Sequence, residues 1–229
     1  MDQNEQYQSI VSSLKEKSVH QRKVLKRTKE YFESLKQEAK HLAEALSTEV
    51  KDLEEVEVKY TQKGSFQAEL KFGEDVIIFF LHNDVFDFER SHRIWKTSYV
   101  EKDRLNAYFG MISIFNFLNT SFEMNRLQDL GYLIGRVFIN ADGHFFVEGK
   151  KQLGFLYNDF GSSELNESAL KSIIMSAIQY CQEFDLLTPP FASMSQVQVG
   201  QIIDISNQMS VKTGKRLGFK VSAEQDPIE

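Results

Sequence analysis

The sequence of 229 residues contains a single cysteine, Cys181. One cysteine excludes an intramolecular disulfide bond and any zinc site that is built from several cysteines. Cys181 falls on the apolar stripe of a predicted helix. We therefore interpret it as a buried structural thiol and not as a nucleophile.

Sequence motifs for catalysis and for cofactor binding are also missing. No Gly-x-Ser-x-Gly element is present to supply a serine nucleophile. The segment from Lys212 to Arg216 contains Gly-Lys but lacks the upstream glycine of a phosphate-binding loop. We predict that the protein has no cofactor, and we favour a non-catalytic role.

Long apolar runs are absent too. The longest, Val76 to Leu81, has six residues, whereas a membrane-spanning helix needs about 20. The first residues, MDQNEQYQ, lack the basic and apolar regions of a secretory signal. The formal charge of -6 argues against a surface that coats nucleic acid. We expect a soluble, cytoplasmic protein with no membrane partner.

The first quarter of the chain has neither glycine nor proline, because all 12 glycines and all three prolines lie at or beyond Gly64. This absence of helix breakers predicts one uninterrupted α-helix over residues 3–56. Apolar residues within it recur at alternating steps of four and three, the heptad pattern of a coiled coil. Ser18, Gln21, Thr28 and Glu49 interrupt this seam with polar side chains. Its positions are Tyr7, Val11, Leu14, Ser18, Gln21, Leu25, Thr28, Phe32, Leu35, Ala39, Leu42, Leu46, Glu49, Leu53 and Val56.

The charges of the predicted helix form two blocks. Residues 15–29 hold seven basic residues and one acidic residue, whereas residues 30–57 hold nine acidic and three basic residues. An antiparallel copy would place each basic half against an acidic half, and the alternative is a charged face that is only solvated. We predict a homodimer or a helical protein partner. The residues expected to bind this partner are Leu25, Phe32, Leu35, Leu42, Leu46 and Leu53.

The complete pattern predicts an α+β fold, in which the long N-terminal helix precedes a mainly antiparallel sheet with packed helices. Alternating apolar residues predict a hairpin before and after Gly64, and strands at Val76 to Leu81 and at Arg93 to Val100. Asp103 is interpreted as the cap of a helix, although Ile112 to Phe117 is equally consistent with a strand.

The second half of the sequence predicts a hairpin around the Asp142-Gly143 turn, and then a strand from Gly154 to Tyr157. A helix opened by Ser163 or Asn166 follows, and it ends at Pro189-Pro190. The last segment predicts a helix that begins near Ser195 and a strand from Leu217 to Val221. We divide the chain into a helix (1–56), an α+β core domain (57–190) and a C-terminal helix–strand extension with a polar tail (191–229).

One set of residues has the composition of a metal-dependent nuclease site. Glu148 and Lys150 form a Glu-x-Lys element at a strand end, and Asp142 precedes them. In such a site two carboxylates hold a divalent ion, and the lysine stabilises charge at the attacking water. The same spacing recurs at Glu57/Lys59 and Glu69/Lys71, which favours ordinary charge pairs on one face of a strand.

The five histidines offer a weaker hypothesis for a metal site. His82 and Asp84, with His92, His144 and Asp142, supply metal ligands only if their loops converge. The alternative is that they are polar loop residues without a shared ligand. The remaining two histidines lie on the N-terminal helix off the seam, where we expect them to be solvated.

The basic block of the helix is the one feature typical of nucleic-acid binding. Its cations are suited to contact phosphates, whereas the acidic half next to them repels a polyanion. We therefore prefer an interaction protein that acts through its helix, with the metal-dependent nuclease as the competing hypothesis. The residues that would contact nucleic acid are Lys15, Arg22, Lys23, Lys26 and Arg27.

Overall fold

The computed structural model describes residues 2–155, 157, 160–161, 164–184, 191 and 198–200. A long N-terminal helix precedes a six-stranded antiparallel sheet with further helices, which confirms the α+β fold. The elements are α1 (Gln3–Ser13), a π-helical segment (Leu14–Ser18), α2 (Val19–Glu49), β1 (Val58–Gln62), β2 (Gln67–Phe72), β3 (Asp75–Leu81), a 3-10 turn (Arg93–Lys96), α3 (Ser98–Lys102), a second 3-10 turn (Arg104–Ala107), β4 (Gly110–Leu118), α4 (Asn119–Glu123), β5 (Tyr132–Ile139), β6 (Phe145–Gly149), α5 (Gln152–Phe155) and α6 (Glu167–Gln182).

The N-terminal helix runs through α1, the π-helical segment and α2 and ends at Glu49, so the prediction that it continues to residue 56 is wrong. Asp52, Glu54 and Glu55 follow this end closely, with Lys51 as the one cation among them. The negative end of the helix macrodipole repels carboxylates at this position, which disfavours further helical turns.

The buried stripe of α2 packs against the chain's own sheet and α6. Phe32 and Leu35 are completely buried there, so they cannot contact a partner helix, and their assignment as partner-binding residues is corrected. The pattern is misleading because a heptad seam and a helix packed on a sheet have nearly the same apolar period, 3.5 against 3.6 residues. The buried residues of α2 are Val24, Thr28, Phe32, Leu35, Lys36, Ala39 and Ala43.

The six strands form a meander in which each strand pairs with the next in sequence. Side chains alternate between two faces along each strand, and the two faces are covered differently. One face forms the main core with α2 and α6, with Leu70, Ile77 and Phe79 fully buried. The other face carries an aromatic cluster under the 3-10 turns and α3, which includes Phe109 and Phe146.

Several local predictions differ from the structure. Arg93 to Val100 forms a 3-10 turn and the start of α3, not a strand. Asp103 caps only a 3-10 turn, through the Leu105 backbone N–H, before the chain extends as β4. Gly154 lies in α5, so a strand from Gly154 to Tyr157 is wrong. These short segments pack on the finished sheet, and tertiary contacts override their weak strand propensity.

The later hairpin and helix are confirmed. β5 and β6 pair across the turn that contains Asp142 and Gly143. Asn166 caps α6 by accepting a hydrogen bond from the Ala169 backbone N–H at 2.9 Å. Pro189-Pro190 and the predicted elements near 195 and from 217 to 221 lie outside the described residues.

The start of β4 lies very close to α2. A Cβ added to Gly110 would lie 2.7 Å from Cβ of Thr28 and 2.8 Å from its Cγ2. Real Cβ atoms essentially never approach other atoms so closely. Thr28 is itself fully buried, and its hydroxyl donates to the carbonyl of Val24 at 2.8 Å. The absence of a side chain at Gly110 therefore sets the distance between helix and sheet.

We expect Gly110→Ala to lower the free energy of unfolding by about 1–3 kcal/mol, because the added methyl group overpacks the contact with Thr28. In a Thr28→Gly background the same substitution should lower the free energy of unfolding clearly less, because the side-chain atoms of Thr28 that meet the new methyl group are absent. Gly135→Ala on β5 is the matched control, because its Cβ would meet its neighbours at ordinary distances of 3.5–3.6 Å. Urea unfolding of the four variants measures the coupling, and an equal cost of Gly110→Ala in both backgrounds would contradict the contact.

Candidate interaction site

The helical arm, defined here as residues 3–18, continues the helix beyond its buried part. Against the described part of the chain, every arm residue is exposed or half-buried, whereas Val24 is fully buried. Tyr7, Ile10 and Leu14 are 62%, 53% and 59% exposed. Their spacing of three and four residues places them on one side of the helix. The arm therefore presents an apolar stripe to solvent.

The arm meets the rest of the molecule at Tyr108. Nζ of Lys17 lies 5.4 Å from the centroid of the Tyr108 ring, and the ring centroid of His20 lies 6.3 Å from it. His20 is half-buried and not solvated as predicted, and its Nε2 has no hydrogen-bond partner among the described residues. The π-helical segment, Leu14–Ser18, coincides with this junction. Such segments inside α-helices are frequent at functional sites.

Four of the predicted partner-binding residues remain to be placed. Leu42 and Leu46 are half-buried against the main core. Leu25 is half-buried and lines a shallow groove among charged side chains of α2. Leu53 is 57% exposed in the turns after the helix. The exposed stripe of the arm, Tyr7, Ile10 and Leu14, includes Ile10, which the predicted seam does not contain. The sequence indicates Ile10 only as a second apolar residue directly before the seam position Val11.

The basic residues of the helix lie on both sides of the junction. Lys26 and Arg27 both reach Glu30, with Nζ–Oε1 and Nη1–Oε2 distances of 4.0 and 3.3 Å. This carboxylate lowers the local positive potential that a polyanion would meet. The exposed basic residues predicted to contact nucleic acid are Lys15, Arg22, Lys23, Lys26 and Arg27.

A polar row crosses the second face of the sheet. Ser113, Arg136 and Glu148 are aligned neighbours on β4, β5 and β6. Arg136 donates a hydrogen bond to Glu148, and its guanidinium lies 5.3 Å from the centroid of the Phe138 ring. Nε2 of His82 lies 3.0 Å from the Ser113 hydroxyl. Arg136 is not among the residues predicted from the sequence, although a cation inside an apolar strand is a signal for a paired charge.

The residues of the nuclease hypothesis have separate partners. Asp142 lies in the turn before β6, where its Oδ2 accepts the Tyr99 hydroxyl at 2.6 Å. Glu148 lies towards the far end of β6 and pairs with Arg136. Lys150 follows the strand and is exposed. Across the described ranges, no three His, Cys, Asp or Glu side chains are grouped as a metal site requires. The two carboxylates are therefore held by different protein groups.

The three histidines of the sheet region lie in different surroundings. His82 packs edge-on against two phenylalanine rings, and His92 stacks on a third at a centroid distance of 4.3 Å. His144 packs against Tyr99, with centroids 4.7 Å apart. Asp84 is exposed. His144 and Asp142 share Tyr99 as a neighbour, whereas His82 and His92 contact other rings. Nε2 of His92 also lies 4.0 Å from Oε1 of Glu148.

Tyr99 links this turn to α3. Burial raises the pKa of Tyr99 to about 12, and the hydrogen bond to Asp142 adds to the increase. The side-chain amide of Asn140 donates to the same hydroxyl at 3.1 Å. Burial also lowers the pKa of His82, which favours its neutral form at neutral pH. Tyr99 is not among the residues predicted from the sequence, because its partners are more than 40 residues away along the chain.

No protein-family model, curated protein or solved structure matches the chain. In the portion that the structure describes, no helix has both the length and the apolar character that a bilayer crossing needs. The function is therefore inferred from geometry.

We expect Tyr99→Phe to change how stability depends on pH. A raised pKa in the folded state means that Tyr99 stabilises the fold fully below its unfolded pKa of 10, and that this contribution is lost as the pH rises through about 12. The difference in unfolding free energy between wild type and variant should shrink over this range. Urea unfolding at stepped pH measures it, and a difference that stays constant would contradict the assignment.

For divalent ions, we expect calorimetric titration with Mg²⁺ or Mn²⁺ to give the same heats for wild type and for Glu148→Ala. Glu148 is paired with Arg136, and Asp142 with Tyr99, so the two carboxylates do not act together. Glu148→Gln is the control that keeps the shape of the side chain. A divalent affinity that falls in both variants would support the nuclease hypothesis instead.

Proposed function

We propose that this chain is a non-catalytic interaction protein, and that its helical arm binds the arm of a second copy of the chain. The observation that carries the proposal is the exposed stripe of Tyr7, Ile10 and Leu14 on an arm outside the main core.

The energetics of the arm support a partner. An isolated helix shorter than about 12–15 residues is marginal in water, because tertiary packing supplies most helical stability. Because the arm continues from the docked α2, its helix does not need a separate nucleation step. Its exposed apolar side chains, however, contribute no burial free energy while they face water. Covering each of them would contribute about 1 kcal/mol or more.

Charge supports a second copy as the partner. Asp2 and Glu5 lie at the beginning of the helix, and Lys15 and Lys17 lie at the end of the arm. A surface with both signs and an apolar stripe between them is complementary to itself, as an interface between identical subunits requires.

The size of this surface predicts a weak dimer. The arm is about 24 Å long at 1.5 Å per residue, and two such helices bury less than the roughly 1,200 Å² of a standard stable interface. We therefore expect association that depends on concentration, with a dissociation constant in the micromolar range or weaker.

The experiment is static light scattering of the full chain over a wide concentration range. We expect the apparent mass of the wild type to rise from monomer towards dimer, and Leu14→Glu to shift the transition to at least about tenfold higher concentration, because it places a charge in the apolar stripe. Ser9→Glu adds the same charge on the opposite side of the arm and is the matched control. Circular dichroism checks that both variants keep their helix content.

Three outcomes would overturn the proposal. The first is a wild type that remains monomeric at every concentration. The second is an equal weakening of the dimer by both variants, and the third is no change in either variant. In the first case, binding of a different helical protein would need a search of its own. Deletion of residues 2–56 is not a suitable test, because it would remove Phe32 and Leu35 from the core.

A further inference from the structure

We infer that the two arms pair antiparallel, with residue n of one copy opposite residue 25 − n of the other. This inference rests on the proposed self-association and adds its orientation and register. Three features of the helix between residues 2 and 24 agree with this register: the seam of the arm, the end charges and the start of the docked helix.

The first feature is the heptad seam of the arm, in which Tyr7 and Leu14 are exposed and Val11 and Ser18 are half-buried. These four positions are symmetric about the point between residues 12 and 13. In an antiparallel pair Val11 therefore faces Leu14 of the second copy, and Tyr7 faces Ser18. Each contact then combines a larger with a smaller side chain, which fills space better than a parallel pair with Tyr7 on Tyr7 and Ser18 on Ser18.

The second feature is the distribution of charge. Asp2 and Glu5 are acidic at one end, and Arg22 and Lys23 are exposed and basic at the other. In the antiparallel register Asp2 faces position 23 of the second copy, and Glu5 lies within one turn of that lysine. A parallel pair would place bases on bases and acids on acids, which is repulsive at both ends. The antiparallel pair also aligns the helix macrodipoles favourably.

The third feature is the position at which the helix enters its own domain. Val24 is the first fully buried residue, and Lys23 before it is exposed. In the inferred register the first helical residues of one copy end beside residue 23 of the other. The two helices thus overlap from their first residues to residue 23, and neither has to pass Val24, the point where its partner becomes fully buried.

Disulfide trapping tests the register directly. A disulfide forms readily only when the two Cα atoms are about 4.4–6.8 Å apart. In the inferred pair Val11 and Leu14 of opposite copies meet, whereas Val11 and its own equivalent are offset by three residues, or about 4.5 Å along the axis, in addition to the spacing between helices. Cys181 is 1% exposed and stays in place.

The experiment oxidises full-length Val11→Cys, full-length Leu14→Cys and an equal mixture of both, with one variant carrying a mass tag. We expect the mixture to give the cross-linked heterodimer several-fold faster than either variant alone gives its homodimer, as measured by intact-mass spectrometry. Wild type under the same oxidation is the control for Cys181.

The outcomes separate the two proposals. Faster homodimer cross-links, from Val11→Cys alone and from Leu14→Cys alone, would overturn the antiparallel orientation and leave the self-association intact. A wild type that dimerises in light scattering without any of these cross-links would overturn the register. A wild type that never dimerises would overturn the proposed function itself.

Discussion

The close approach of α2 to the sheet is the constraint on which the rest of the molecule depends. Gly110 leaves no side-chain atom between the start of β4 and Thr28. Further along the helix, the small side chains of Ala39 and Ala43 are buried in the main core. Small residues at a contact let two backbones come together, so that the larger side chains beside them are fully enclosed. This packing fixes which side of the helix is buried.

One helix is consequently divided into two parts with different surroundings. The buried residues of α2 from Val24 to Ala43 pack within the chain, and Phe32, Leu35, Ala39 and Ala43 belong to the main core. The arm continues the helix but lies beyond that core, and Tyr7 and Leu14 remain exposed. The π-helical segment forms the end of the arm, next to the contact of Lys17 with Tyr108. The proposed antiparallel pair would give the arm the packing that α2 obtains from the sheet.

The charged and hydroxyl groups on the second face of the sheet pair with other protein groups. Arg136 is held by Glu148 and by the face of Phe138, and Asp142 by Tyr99. Each charge or hydroxyl has a partner from another strand or turn, which reduces the cost of placing it near an aromatic cluster. These interactions tie α3 and the β5–β6 turn to the sheet.

The sequence by itself determined the elements whose signals are local. The lack of glycine and proline before Gly64 specified the long helix but not its end, and the Asp142-Gly143 turn specified the β5–β6 hairpin. Ser163 and Asn166 were the two candidates for the start of α6, and Asn166 is its cap. Hydrogen bonds and backbone preferences of neighbouring residues decide such features, so a linear pattern contains them.

Only the tertiary structure decided what the helix packs against and which polar residues meet. An apolar stripe indicates that one side of a helix is buried, but it does not indicate whether a sheet or a second helix covers that side. The sequence therefore predicts Phe32 and Leu35 in a dimer seam, whereas in the structure both are buried in the chain's own core. The pairing of Tyr99 with Asp142, and of Glu148 with Arg136, depends in the same way on where distant segments come together.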